Sequence, residues 1–295
     1  MTSSQLDRLT QINLDDVVSS FGLRSGTLLA RLAQKIFFNH AQTFARQMVE
    51  FDTVTGNSGL AEGARAVLRH HYDDVRVHGS DLIPASGFLA LSNHPGLADS
   101  AATFAALNRP DLKIIALQRP FLEALTNLSK QLFYVNDDAS SRMNLVRQVS
   151  AFLRNGGAVL TYPAGHIEPD PDFHSDAAES LQQWTDSVGV FLRMSPETPI
   201  LPILVRGVIW KKAITHPLTL IRKTRLDREA LAAAFQVFMM MRGKIKDVRV
   251  RVQIGNPIYA KQLGTTETNI IHQAVLTEMR RLIENPPKDH GKSIF

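Results

Sequence analysis

His94 and Asp99 are the residues of this 295-residue chain whose types and spacing point most directly to chemistry. They sit in the run Leu91-Ser92-Asn93-His94-Pro95-Gly96-Leu97-Ala98-Asp99-Ser100, directly after an apolar stretch. On one continuous helix, a separation of five would set the two side chains about 140° apart around the axis. Pro95 and Gly96 oppose a continuous helix through His94. The expected geometry is therefore a strand ending at His94, a Pro-Gly turn, and a helix starting near Leu97. Asp99 then lies in the first helical turn and can reach back to the imidazole. A carboxylate on one ring nitrogen fixes the tautomer and makes the other nitrogen more basic. That arrangement suits a general base, and amides at the helix start suit a developing negative charge. The same residues also fit a plain capped strand-to-helix junction, with Asp99 serving the helix dipole and His94 simply exposed.

The elements that must position this pair alternate from Val75 onward. Short β-type runs at 75–79, 87–93, 112–118, 132–136, 157–163, 200–210 and 248–255 are separated by helical patterns. The helical patterns lie near 97–107, 119–128, 140–154, 176–194, 227–241 and 266–284; in the last, Ile271, Val275, Met279 and Leu282 recur at helical spacing. This alternation predicts an α/β fold with a largely parallel central sheet flanked by helices. In such sheets, ligands sit beyond the carboxyl ends of the strands, which is where His94 falls. The first seventy residues read as helical, with Leu29, Ala33, Phe37, Ala41, Phe44 and Met48 on one face. A turn at 55–59 and a second helix over about 60–71 follow. The expected organisation is an N-terminal helical segment, 1–72, and an α/β domain, 73–295. The apolar face of the first segment is read as facing the core, with membrane or partner contact as the alternative.

Composition narrows the class. Hydrophobic residues make up 44% and charged residues 21%, which argues against disorder, collagen-like repeats and coiled-coil rods. With no cysteine, disulfides and thiolate zinc sites are ruled out, and a reducing compartment fits. Apolar stretches are interrupted well short of the roughly 18 residues a spanning helix needs. The polar N-terminus lacks a signal-peptide pattern. The expectation is a cytoplasmic protein, with peripheral contact on the cytoplasmic membrane face. The net charge of +5 suits anionic partners. Between Glu197 and Asp227 there is no acid, while Arg206, Lys211, Lys212, Arg222, Lys223 and Arg225 fall inside the gap. Just upstream, Glu168, Asp170, Asp172, Asp176 and Glu179 give the opposite bias. No nucleic-acid module is recognisable, and nucleic acid is not an expected partner. A Gly-x-Ser-x-Gly elbow, a Walker A sequence and a strand-linked dinucleotide fingerprint are all missing. Imidazoles and carboxylates at 166–174 invite a metal reading. The prolines there make an extended loop without a familiar ligand spacing, so no metal is expected and a solvated loop is.

Several blocks, in order, carry a resemblance. Asn93-His94 with Asp99 follows an apolar strand and is preceded by Val75-Arg76-Val77-His78-Gly79 and Leu82-Ile83-Pro84. Thr161-Tyr162-Pro163-Ala164-Gly165-His166 follows, then Thr198-Pro199-Ile200-Leu201-Pro202-Ile203, then Val252-Gln253-Ile254-Gly255-Asn256-Pro257-Ile258. Together they resemble the glycerolipid (lysophospholipid) acyltransferase family over most of the chain. The resemblance implies transfer of a fatty acyl group from an acyl thioester, either acyl-CoA or acyl carrier protein, to a hydroxyl of a glycerolipid-like acceptor. It implies His94 as the base, Asp99 as its orienting partner, and no cofactor beyond the co-substrate. The expected substrate-binding residues are Asn93, Arg119, Arg142, Gly165, His166, Glu168 and Arg206. Two positions depart from the family pattern for a glycerol-phosphate acceptor. No Arg closely follows the strand at 132–135, the nearest being Arg142, and Ala164 stands where the family carries Glu. His166, Glu168, Arg142 and Arg119 are the candidates to replace those functions. An amino-lipid N-acyltransferase and a non-catalytic anionic-lipid-binding protein of the same fold are the alternatives. Arg206 is expected to bind phosphate. Lys211, Lys212, Arg222, Lys223 and Arg225 form a solvated basic surface, or meet acidic head groups or an acidic carrier protein. The apolar run at 235–241 is read as core, or as a wall for an acyl chain or a membrane contact.

Overall fold

A computed structural model describes residues 3–20, 22–24, 26–96, 98–135, 138–222, 225–242 and 248–295. They fall into two units, one gathering Met1–Asp73, Arg119–Lys130 and Ile209–Val248, the other Asp74–Gln118, Gln131–Val208 and Arg249–Phe295.

The second unit is α/β, as the alternation predicts. Its strands are β1 (Val75–His78), β2 (Phe88–Ser92), β3 (Lys113–Leu117), β4 (Leu132–Val135), β5 (Ala158–Thr161), β6 (Ile200–Arg206), β7 (Val250–Ile254) and β8 (Lys292–Ser293). They form one sheet in the order β4-β3-β5-β2-β6-β7-β1-β8. The run from β4 to β6 is parallel throughout. β7 is antiparallel to β6, β1 is parallel to β7, and β8 is antiparallel to β1. β2 and β6 are buried at every residue, the behaviour of near-continuous apolar runs covered on both faces. Because β5, β2 and β6 are parallel neighbours, the segments leaving their carboxyl ends emerge on one edge. On one face, Leu89, Leu91, Val159 and Leu204 pack in a core with Ile271, Val275, Met279 and Leu282 of the helix Thr268–Glu284. Each fully buried aliphatic side chain contributes about 1.5–3 kcal/mol.

Several boundaries differ from the sequence reading. β6 stops at Arg206 because Gly207 turns the chain with φ 72°. The pattern at 176–194 breaks into Ala177–Ser180, a 3-10 turn Leu181–Gln183, and Val188–Met194. The two-residue β8 was not anticipated; too short to show any alternation, it only lines the edge of β1.

The helical unit contains Ser3–Ser20, Leu28–Ser58 and Leu60–His71, and later Lys211–Ile214, a 3-10 turn Pro217–Ile221, and Arg225–Arg242. The expected turn at 55–59 shrinks to Gly59, whose φ of 93° breaks the axis. The helix Leu28–Ser58 runs on through Thr55, which is buried. The pattern at 119–128 divides into Pro120–Ala124 and Thr126–Ser129. Buried Asp52 pins the second of these, accepting from the amides of Asn127 (2.8 Å) and Leu128 (2.9 Å). The long helix is half core. Ala41, Ala45, Met48 and Val49 are buried; on the face read as core-facing, Leu29 is exposed and Ala33 and Phe37 are half-buried, while exposed Leu28, Leu32 and Ile36 lie off that face. The run at 235–241 has interior partners. Phe235 stacks with Trp210, the Trp210 amide donates to buried Gln236 (2.7 Å), and the Tyr72 hydroxyl donates to the Met240 sulfur (3.9 Å). Among the described residues, no helix is long and apolar enough to cross a membrane.

Candidate active site

The site starts where the β2 ladder ends. Asn93 extends the pairing with its side chain, donating from Nδ2 to the Val205 carbonyl (2.8 Å) and accepting from the Val205 amide (2.7 Å). Asn93 is buried and so occupied with β6, which argues against its expected substrate contact. His94 follows. Pro95 has no amide to donate, and Gly96 turns the chain at φ 90°. The helix Asp99–Leu107 then begins, two residues later than expected. Asp99 is almost wholly buried and turns back over the loop. Its Oδ2 lies 2.7 Å from Nδ1 of His94 and accepts from the Gly96 amide at 2.7 Å. Its Oδ1 accepts from the Ser100 amide and from Ser100 Oγ (3.1 Å). One carboxylate thus fixes the turn, the helix start and the imidazole together.

With Asp99 on Nδ1, that nitrogen carries the ring proton and Nε2 is left to accept one. The His94 side chain is 31% exposed. Burial pushes its pKa down. The hydrogen bond and charge of Asp99, with the charge of Glu168, more than offset this and hold the imidazole above the ordinary histidine value. The Tyr162 ring lies 4.8 Å from the imidazole, centroid to centroid, and its hydroxyl donates to Ser100 Oγ (3.0 Å). Burial, then the charge of Asp99, raise the Tyr162 pKa, so the phenol stays neutral.

The acidic stretch after β5 corrects the solvated-loop reading. Glu168 and Asp170 are buried. Glu168 accepts from the His94 amide (2.9 Å) and from Trp184 Nε1 (2.6 Å), and its own amide donates to the His94 carbonyl (2.8 Å). Asp170 accepts from the amides of Gly207 (2.9 Å) and Val208 (2.8 Å). Asp172 pairs with Arg206 Nε (2.8 Å) and with Arg251. The segment has no regular structure from Ile167 to Asp170 and then turns, the amides of Phe173 and His174 donating to the Asp170 carbonyl (both 3.0 Å), so successive carboxylates reach different neighbours.

The expected substrate residues therefore separate. His94, Asp99 and Glu168 come together, but the Glu168 carboxylate is turned onto protein N–H groups. Gly165 and His166 are exposed just before it; Gly165 turns the loop at φ 69°, and His166 Nδ1 contacts the Ala164 carbonyl (2.8 Å). Arg206 is 3% exposed, with Asp172, Gln253 Oε1 (3.1 Å) and the Ile283 carbonyl (3.1 Å) as partners. The last residue of a fully buried strand has no route to a ligand phosphate, which corrects that expectation. Arg142 lies in the first turn of Ala139–Arg154, the helix that follows β4, and β4 is three strand positions, roughly 14 Å, from β2. Arg119 belongs to the helical unit, where it flanks Pro120–Ala124 and its charge reaches Asp16. In that unit, Lys211 and Lys212 open the short helix before the 3-10 turn Pro217–Ile221 and Arg222 directly follows it; Leu218, Leu220 and Ile221 of that turn are exposed. Lys223 and the side chain of Arg225 lie outside the described residues. Among the described residues, no cluster of three potential metal ligands occurs.

Sequence reasoning missed Ser100, Tyr162 and Trp184 as site neighbours. Tyr162 carried a signal: it directly follows β5, and a parallel β2–β5 pairing sets it beside the end of β2.

Comparison with known proteins adds the following. Residues 74–206 match the family model described as Acyltransferase. The crystal structure of the 1-acyl-sn-glycerophosphate (LPA) acyltransferase PlsC from Thermotoga maritima is similar at 17% identity and a TM-score of 0.47, covering 98% of this chain and 100% of that one. No curated protein matches the chain.

Proposed function

Through residues 74–206 this chain belongs to the Acyltransferase family of enzymes, and from that premise we propose that it is an O-acyltransferase in which His94 is the general base. The observation that carries the reading is the His94 Nδ1–Asp99 Oδ2 contact of 2.7 Å at the carboxyl end of β2. Nε2 takes the proton of an acceptor hydroxyl as its oxygen attacks the thioester carbonyl carbon. The C–S bond breaks, and the imidazolium returns the proton to the departing thiolate, leaving an ester and a free thiol. Asp99 stabilises the imidazolium between those two transfers. A positioned base of this kind contributes about 10²–10⁴-fold. Palmitoyl-CoA, with thiol release followed across monoacylglycerol, 1-acylglycerol 3-phosphate, lysophosphatidylcholine and an amine-bearing lipid, tests the reading. Release stimulated by a hydroxyl acceptor, with ester formed in equal amount, is the expected result. Amide formation alone, or no stimulation by any hydroxyl, contradicts it.

We also propose peripheral contact with anionic membrane, which suits a lipid acceptor. The supporting observation lies in the helical unit. Leu220 and Ile221 are 69% and 72% exposed in a turn that follows Lys211 and Lys212 along the chain and runs into Arg222. Apolar side chains can enter the head-group boundary while the cations meet acidic lipid.

A further inference from the structure

We propose that Glu168 is a positioning residue for His94, its carboxylate and its own amide holding the two backbone polar groups of His94 while Trp184 holds the carboxylate. The inference rests on His94 being the base.

His94 needs such a partner. It lies beyond the last residue of β2, and the Asn93 side chain has taken over the pairing with β6. Neither Pro95, which has no N–H, nor Gly96, whose amide goes to Asp99, anchors the His94 backbone. Glu168 supplies both bonds, from a residue 74 positions away. Asp99 fixes the ring from one side and Glu168 fixes the backbone from the other, so the direction of Nε2 is set twice. A buried carboxylate is costly unless N–H groups surround it. Here the two donors are the His94 amide at 2.9 Å and the Trp184 indole at 2.6 Å. Trp184 is itself locked in the core with Leu181, Val188 and Leu192. Asp170, two residues on, staples backbone amides in the same manner, but to Gly207 and Val208 rather than to a site residue. What sets Glu168 apart is that its partner is His94 and its charge faces the imidazole. The titratable groups around that ring are Asp99, Glu168 and Tyr162, with the charge of His166 acting on Glu168.

Glu168→Gln in the full chain tests this. An amide nitrogen cannot accept from either N–H, so Gln satisfies only one of the two donors at unchanged size. With palmitoyl-CoA and the acceptor found active, kcat is expected to fall about tenfold or more, with KM changed less than about threefold. The midpoint of the His94 imidazole titration, followed by NMR, is expected to fall, and the Trp184 indole N–H signal to move. A folded variant with unchanged kcat and unchanged His94 midpoint overturns the proposal. Should the variant not fold, the wild-type protein decides. The His94 amide and Trp184 indole protons are expected to titrate with one shared midpoint, that of Glu168, and an unresponsive His94 amide overturns the clamp. A His94 midpoint that falls while kcat holds keeps the clamp and overturns the base assignment. A rate loss with an unmoved midpoint does the reverse.

Discussion

Replacing Asp99 with Asn keeps the size of the side chain and removes its charge. The consequence can be worked from its contacts. Oδ2 accepts from His94 Nδ1 and from the Gly96 amide, both at 2.7 Å, and Oδ1 accepts from Ser100. An amide nitrogen at the Oδ2 position faces two donors unless His94 switches tautomer, which puts the proton on Nε2 and removes the base. An amide nitrogen at the Oδ1 position faces the Ser100 amide instead, and the imidazolium loses its counter-charge. A hydrogen bond to a charged group is worth about 1.5–3 kcal/mol, or roughly 10–150-fold in rate. The whole contribution of the base, about 10²–10⁴-fold, is the ceiling. The expected loss in kcat is therefore about 10²-fold, with the helix content unchanged by circular dichroism. The pH dependence is sharper still. In the wild type, Asp99 and Glu168 hold the His94 pKa above its ordinary value, so kcat/KM should rise with pH along a limb lying above about 6.5. In Asp99→Asn that limb moves to lower pH, and the gap between the two enzymes narrows as pH falls. Steady-state thiol release over pH 5 to 9 reads both effects. An unmoved limb, with kcat within about twofold of wild type, would falsify the pairing of Asp99 with a catalytic base.

Three further outcomes follow from the same contacts. Asp172→Asn leaves Arg206 buried beside Arg251 without its carboxylate and is expected to cost about 3 kcal/mol in urea unfolding, with KM nearly unchanged; a large rise in KM at full stability would return Arg206 to substrate binding. The raised His94 pKa means that protonated His94 stabilises the fold. That stability is fully present below about pH 6.5 and is lost as pH rises through the folded pKa, so the stability difference between wild type and His94→Gln should narrow from about pH 6 to 9; a constant difference contradicts it. Leu220→Ser with Ile221→Ser should weaken sedimentation with phosphatidylglycerol-containing vesicles at least about tenfold, and added salt should weaken the wild type as well; equal binding by both proteins removes this turn as the anchor.

The sheet was legible because its central strands are unbroken apolar runs, as in 88–92 and 200–206, and fully buried parallel strands need that texture. The His94–Asp99 contact was legible because Pro95 and Gly96 leave the chain little choice but to turn. The acidic stretch was not. Glu168, Asp170 and Asp172 alternate with Pro169 and Pro171 and read as solvated, and only partners 74, 37 and 79 residues away reveal them as internal staples. Arg206 misled for the same reason, since its place beyond an apolar strand suggested a ligand before Asp172 was known to lie beside it. The face of Leu28–Ser58 that periodicity marks is exposed at Leu29, half-buried at Ala33 and Phe37 and buried at Ala41 and Met48, and periodicity alone does not say how far along such a face finds a partner.

The most direct test of His94 as the base is the rate of ester formation by folded His94→Gln at saturating palmitoyl-CoA and acceptor. A fall in kcat of at least about 10²-fold, with KM for either substrate little changed, is the expected result. Ester formation within about twofold of the wild-type rate would contradict it.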